Sequence, residues 1–427
     1  LRKSCIIHRS SFIIHRSVYL SHLSLTHFRN FSRLELDLSE GITLLQGSNA
    51  QGKTSFLEAV AYLSTSRSLL AGAERELVHW LAWEEPLPFA RLVGEMIGAG
   101  GRKQRIEITL VQTNKSNSGA PLLRKEVRVN GVSRRAIDLV GQMPTVLFLP
   151  QDIELISGAP SGRRRYLDIA LCQMQQDYCR ALGSYNKVLD QRNALLKALR
   201  EQGGPREQLT FWDDQLVTQG SLLMARRAAF VAELEVEANQ RQQALTDGRE
   251  RLHVRYLPSL EPGDNGEEPA SVDLPWLREP SPLYLAGDQP SIAAVFQQAL
   301  TRTRQREIAA GMSLLGPHRD DVQFTAQGRD LRTYGSRGQQ RTAALSVKLA
   351  EVAIMRRALG TPPLLLLDDV MSELDGSRRA LLLEALDGVQ QALVTTTDWA
   401  DFTPEFRSRA RCLHVEEGRV LPPEETQ

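Results

Sequence analysis

Gly47-Ser48-Asn49-Ala50-Gln51-Gly52-Lys53-Thr54-Ser55 follows the apolar run Ile42-Thr43-Leu44-Leu45 and leads into a stretch of helical character from Thr54 to about Leu63. The first eight of these residues, Gly47 to Thr54, fit G-x-x-x-x-G-K-[ST], and a buried strand before the loop with a helix behind it is the setting that this motif requires. Glycines at both ends let backbone N–H groups close around phosphate oxygens, and the helix N-terminus adds positive potential. Lys53 is then expected on the β- and γ-phosphates of ATP, with the Thr54 hydroxyl on Mg²⁺.

The partner of this loop lies far downstream. Leu364-Leu365-Leu366-Leu367 runs into Asp368-Asp369, an apolar strand ending in two carboxylates. That is the second nucleotide motif of P-loop enzymes, in which Asp368 holds the metal and Asp369 stands where a catalytic base polarises the attacking water. Just upstream, Ser336-Arg337-Gly338-Gln339-Gln340-Arg341 resembles the signature of ABC-type ATPases. In that family the signature of one subunit covers the γ-phosphate bound to another, and the resemblance implies this for Ser336, Gly338 and Gln339. Gln151 in Leu149-Pro150-Gln151-Asp152 resembles the Q-loop, a sensor of metal and γ-phosphate. Ser372-Glu373-Leu374-Asp375 resembles the D-loop, and Thr395-Thr396-Thr397-Asp398 ends a strand at the switch position. ABC-type enzymes more often carry Glu where Asp369 stands, and the shorter side chain implies slow turnover. The usual switch His is absent, leaving either Asp398 or Thr397 for its task.

Outward from these motifs, the segment before the loop alternates at Leu23 and Leu25 and at Leu34, Leu36 and Leu38, as strands do. Further strands are expected at Phe89–Ile97, Arg105–Val111 and Lys125–Val129, the last closed by Asn130-Gly131. From about Arg165 to Arg200 the apolar period changes to three and four, the mark of one helix face. A second helix carries Trp212, Leu216, Leu223, Phe230 and Leu234, and Gly203-Gly204-Pro205 separates the two. The fold class is therefore α/β, an ABC-type P-loop ATPase head of mixed sheet and helices with an inserted helical arm. The expected units are an N-terminal extension over 1–17, half of the head over 18–165, the arm over 166–304, the other half over 305–420, and a tail over 421–427.

Composition narrows the class without naming a ligand. Hydrophobic residues make up 42% and charged residues 24%, with no apolar run near the roughly 20 residues of a membrane span, which points to a cytoplasmic protein. A net charge of +1 offers no general attraction to nucleic acid, so any DNA contact must come from local clusters. The four cysteines show no zinc spacing, and neither disulfides nor structural zinc are expected. Ile6-Ile7-His8-Arg9-Ser10 recurs as Ile13-Ile14-His15-Arg16-Ser17 without a burying period, which implies a misassigned start ahead of Val18. Residues 258–283, rich in Pro, Gly, Asp and Glu, read as an exposed loop.

Four stretches carry a closer resemblance that covers essentially everything after Val18. Phe28-Arg29-Asn30-Phe31, Ser161 to Asp168 (SGRRRYLD), Gly316 to Asp321 (GPHRDD) and Gly338-Gln339-Gln340-Arg341 resemble the RecF family of bacterial recombination mediators. The resemblance implies ATP-dependent binding to double-stranded DNA near single-strand gaps, an ATP-dependent homodimer, and RecR and RecO as partners in loading RecA recombinase. Lys53 and Ser336 lie 283 positions apart, too far for a transporter cassette. The arm is far too short for the coiled coil of an SMC or Rad50-type ATPase, the alternative reading of the same motifs. Candidate phosphate contacts are Arg163, Arg164 and Arg165, Arg134 and Arg135, the run Arg102 to Arg105, and Arg302, Arg304 and Arg306. Arg67, in Ser66-Arg67-Ser68, is expected to touch nucleotide, as a similarly placed Arg does in related heads.

Overall fold

The computed structural model describes residues 18–115, 121–260, 288–386 and 388–422. The extension over 1–17, the acidic stretch from 261 onward and the tail beyond 422 therefore lie outside the described residues.

In chain order the strands are β1 (Tyr19–Phe28), β2 (Phe31–Asp37), β3 (Gly41–Gln46), β4 (Phe89–Ile97), β5 (Lys103–Lys115), β6 (Pro121–Val129), β7 (Val132–Arg134) and β8 (Thr145–Phe148). After the helical insertion come β9 (Leu252–Leu257), β10 (Asp321–Ala326), β11 (Arg329–Asp330), β12 (Leu364–Asp368), β13 (Gln391–Thr396), β14 (Ala410–Glu416) and β15 (Arg419–Leu421). The principal helices are α1 (Lys53–Thr65), α2 (Pro160–Met174), α3 (Gln176–Gln202), α4 (Leu209–Leu245), α5 (Gln289–Ala310), α6 (Arg337–Leu359) and α7 (Gly376–Leu386).

Two six-stranded sheets build the head. One is antiparallel in the order β2-β1-β4-β5-β6-β7, and the other runs β15-β14-β3-β13-β12-β8 with β14, β3, β13, β12 and β8 parallel. The parallel strands read as continuous apolar runs because both of their faces are covered. Along β12, Leu364 and Leu366 join the core shared with the antiparallel sheet and α1, whereas Leu365 and Leu367 join the core shared with α2, α4 and α6. The one-residue alternation of a strand thus divides the interior in two. α1 fills the space between the sheets, with Phe56, Leu57, Val60 and Leu63 all buried.

The arm departs from the expected plan in two respects. The helix expected over 165–200 is two helices, broken at Gln175, whose φ is −134° and ψ 103°. No Gly or Pro marks the break. Gln173, the penultimate residue of α2, is instead buried with its amide paired to the backbone of Thr145 in both directions, at 2.8 and 3.1 Å. Cys172 and Cys179 accordingly lie on different helices, and the described cysteines are free. The second departure concerns the boundaries. Residues 165/166 and 304/305 fall inside α2 and α5.

Nor is the arm a projection tied on by its ends. β9, in the insertion, pairs antiparallel with β10 of the second half, and α4 packs with α6 in one continuous core. No described helix is long and apolar enough to cross a membrane.

Candidate nucleotide-binding site

β3 ends at Gln46, and the chain turns through Gly47 to Gly52 into α1. Two positions need glycine. A Cβ on Gly47 would stand 2.3 Å from the Val415 carbonyl oxygen of β14, and Gly52 has φ 112°, in the left-handed region. The far end of the loop is pinned by the turn between β14 and β15. Gly418 N–H donates to the Gln51 carbonyl at 3.1 Å, and Glu417 N–H to the Gln51 side chain at 2.6 Å.

The Phe28-Arg29-Asn30-Phe31 turn holds the other side. Arg29 makes a two-pronged ion pair with buried Glu58 of α1 at 2.7 and 3.0 Å, and Asn30 accepts from the Ser55 hydroxyl at 2.9 Å. Ser48, Asn49 and Ala50 stay exposed on the loop. The first-turn N–H groups of α1 have no carbonyl within the helix to accept them, which leaves donors facing an incoming anion.

Lys53 is buried, and its ammonium donates to the carbonyls of Gly47 at 2.6 Å and Ser48 at 2.9 Å, so one of its three N–H groups is left over for a phosphate. Burial pulls this ammonium below its ordinary range, and Asp369 and Asp368 pull the other way. The Thr54 hydroxyl donates to one Asp368 oxygen at 2.7 Å, across 314 residues of chain. The other Asp368 oxygen accepts from the Thr395 hydroxyl at 2.9 Å. Thr54 and Asp368 therefore share one point, as a magnesium site requires.

Asp369 follows with φ 50°, an unusual conformation for a residue with a side chain. Its N–H donates to Thr395 Oγ1 at 3.0 Å, while its buried Oδ1 has no hydrogen-bond partner. Burial pushes its carboxyl above the ordinary value, against the pull of Lys53. The donor set fits Mg²⁺ and a nucleoside triphosphate.

Gln151 sits exposed on the turn after β8, the neighbour of β12, and so belongs to the same edge of the parallel sheet as Asp368. Its neighbour Asp152 caps that turn through Leu149 N–H at 2.8 Å, and burial raises the Asp152 carboxyl to about 6. At the switch position, the Asp398 side chain caps its own turn by accepting from Ala400 N–H at 2.9 Å, and the Thr397 carbonyl accepts from Gln46.

The signature turn is separate. Ser336 caps α6 in a reciprocal box with Gln339, the two bonds being 3.2 and 3.0 Å. Ser336, Arg337 and Gly338 are exposed, and Gln339 is further held by Glu250, in the turn between α4 and β9. No described hydrogen bond joins residues 336–339 to residues 47–55.

The expected arginine contacts divide, some corrected and some left open. Arg163 is only 2% exposed and is committed to Asp321 at 2.7 and 2.9 Å, so it is not a surface phosphate contact. Arg304 is likewise paired with buried Asp213. Arg67 follows the C-terminal turn of α1, a helix that runs about 18 Å from Lys53, and it lines a cavity with Arg164 and Arg165 rather than the phosphate loop. Arg134 and Arg135 are exposed beside the sheet edge, Arg135 paired with Asp138.

Two roles escaped the sequence, which marks Thr395 only as part of the switch stretch and Gly316 to Asp321 only as a family stretch. Thr395 touches both carboxylate residues, and its only signal was a polar residue at the end of an apolar strand. The Gly316 to Asp321 stretch is a structural knot. His318 Nδ1 lies 2.7 Å from the Tyr185 hydroxyl, Asp320 accepts from Tyr256 and Ser259, and Asp321 takes Arg163.

The family model described as RecF/RecN/SMC N terminal domain matches residues 19–414. "DNA replication and repair protein RecF" of Chloroflexus aurantiacus is 42% identical over 408 residues, covering 93% of this chain and 98% of that protein. Its counterpart in Roseiflexus castenholzii is also 42% identical, over 409 residues. A solved structure of the recombination mediator RecF with ATP, in the RecFOR pathway, superposes with a TM-score of 0.79 at 31% identity, covering 96% of this chain and 98% of that one.

Proposed function

Because the chain belongs to the RecF family of ABC-type ATPases, we propose that it acts in recombinational repair as an ATP-gated clamp on duplex DNA near single-strand gaps. Gly47 to Ser55 hold the triphosphate, Thr54, Asp368 and Gln151 hold Mg²⁺, and Asp369 takes the proton of the attacking water. The metal, when bound, neutralises charge on the phosphates; the residues of the chain do the positioning. Lys53 orients the β- and γ-phosphates, and Thr395 keeps the two carboxylate residues in register.

The observation that carries the dimer is the signature turn. Ser336 and Gly338 sit exposed at the N-terminus of a 23-residue helix, unattached to the phosphate loop of their own head. A second copy supplying that turn closes the site, so ATP joins two heads and slow hydrolysis releases them. Arg134, Arg135, Arg164 and Arg165 are the candidate phosphate contacts, RecR and RecO the expected partners, and the cytoplasm the expected compartment.

The test is ATP turnover across a protein concentration series, with and without duplex DNA, beside Lys53→Met. Turnover that rises faster than linearly, is stimulated by DNA and vanishes in Lys53→Met is the expected result. Linear turnover indifferent to DNA overturns the clamp.

A further inference from the structure

Two of the family stretches, together with Ser66-Arg67-Ser68, converge on a place that the ATP chemistry does not use. A cavity of about 850 Å³ opens between the turn after α1, helix α2 and the arm helices, and none of residues 47–55 lines it. Its wall carries five cationic side chains against two carboxylates. Both carboxylates are taken, Glu74 by Lys125 and Tyr62, and Asp168 by Arg227 and Tyr178.

Three guanidinium groups remain without an ion pair among the described residues. Arg164 donates only to the Asp320 carbonyl at 2.8 Å, Arg165 only to the Ser68 carbonyl, and Arg67 is exposed at the mouth. Burial, then the nearby Arg227, lowers the proton affinity of Arg164 against the opposing pull of Asp321, Asp320 and Asp168, and burial, then Arg67, lowers that of Arg165, which has no such carboxylate beside it among the described residues. Like charges crowded into one wall repel unless an anion relieves them.

The cavity also has an unsatisfied donor. Ser66 is 2% exposed, its hydroxyl has no hydrogen-bond partner, and its φ of 53° is held in the left-handed region. Ile169, Leu182 and Leu223 give the remaining wall an apolar character. His318, at the inner end, is neutral at physiological pH because burial lowers it to about 4. Cationic mouth, free hydroxyl, apolar wall and a volume within the 300–1,000 Å³ of ligand pockets describe a receptor for an anion attached to a flat apolar body.

We propose that this cavity is a second nucleotide site, separate from the phosphate loop, which takes one nucleotide unit with its phosphate on Arg67, Arg164 and Arg165 and its base against the apolar wall. The unit comes either free or as part of a nucleic-acid strand; the phosphate and base are common to both.

The full chain carrying Lys53→Met, which silences the ATP site, is titrated calorimetrically with deoxyadenosine monophosphate and with a single-stranded deoxythymidine decamer. Two further variants are compared in that background. Arg67→Ala with Arg165→Ala removes charge, and Gly183→Leu fills the cavity, because a Cβ there meets nothing nearer than Ile137 at 3.8 Å. The expected result is binding of at least one probe, weakened tenfold or more by each variant. Binding of the mononucleotide identifies a free nucleotide as the source, and binding of the decamer alone identifies a strand. Binding of neither probe overturns the site. So does binding that survives Gly183→Leu, which puts the phosphate on open surface, or binding that survives the arginine pair. ATP binding by Gly183→Leu with Lys53 intact stays at the parent level, which separates failure of this site from failure of the ATP site.

Discussion

Replacing Thr395 by Val removes one hydroxyl from a fully buried position while keeping the shape of the side chain. That hydroxyl donates to Asp368 at 2.9 Å and accepts from Asp369 N–H at 3.0 Å. A hydrogen bond to a charged group is worth about 1.5–3 kcal/mol, and a buried N–H left without an acceptor costs about 1–3 kcal/mol. The two together come to roughly 2.5–6 kcal/mol, and because the Asp369 N–H is only partly buried the variant should lose the lower part of that range in local order at the end of β12. If only the Asp368 bond is felt in positioning the metal, turnover falls about 10- to 100-fold, at 1.36 kcal/mol per decade. The internal control is Thr43→Val on neighbouring β3, where an equally buried hydroxyl has no partner and its loss should cost nothing. Steady-state ATP turnover and thermal midpoints of both variants, measured side by side, are the assay. Equal turnover in the two, within about twofold, refutes the claim that Thr395 orders the carboxylates.

Ser336→Arg should leave ATP binding to the phosphate loop intact and abolish ATP-dependent dimerisation; a variant that still dimerises, as read by light scattering, removes the cross-subunit role of the signature. Arg192 is fully buried between Asp213 at 2.8 Å and Glu307 at 2.6 Å. Arg192→Met strands those carboxylates and should cost about 3–5 kcal/mol, seen in urea unfolding; a midpoint like that of the parent contradicts it. His318 has its folded-state value lowered to about 4 by burial, below the ordinary 6.5 of the unfolded chain. The unfolded state then takes up a proton that the folded state refuses, so stability falls as pH drops from about 6.5 to about 4. His318→Asn should flatten the thermal midpoint across that window, and an unchanged slope assigns the loss to other groups.

Much of the nucleotide site was legible because its groups act through local sequence. A glycine-rich turn needs its glycines at fixed offsets, and Lys53 and Thr54 follow it directly. The strand carrying Asp368 announces itself by an unbroken apolar run, since both of its faces are buried. β14 and β15, which clamp the loop through Gly418, gave no comparable signal, because their burial is set by β3 and not by their own alternation. The helix break at Gln175 was likewise invisible, being imposed by a buried amide that completes the edge of β8.

The arginines show the division most clearly. Arg163, Arg164 and Arg165 are equivalent as a sequence, and one turn of α2 sends them to different fates: the first to the carboxylate of Asp321, the other two to the wall of a cavity. The sequence by itself determined the chemistry of the phosphate loop, the order of its partner motifs and the α/β class, because these rest on residue type and short-range spacing. Only the tertiary structure decided which charges are paired and which are free, because pairing depends on carboxylates brought in from more than a hundred residues away, as Asp321 is to Arg163.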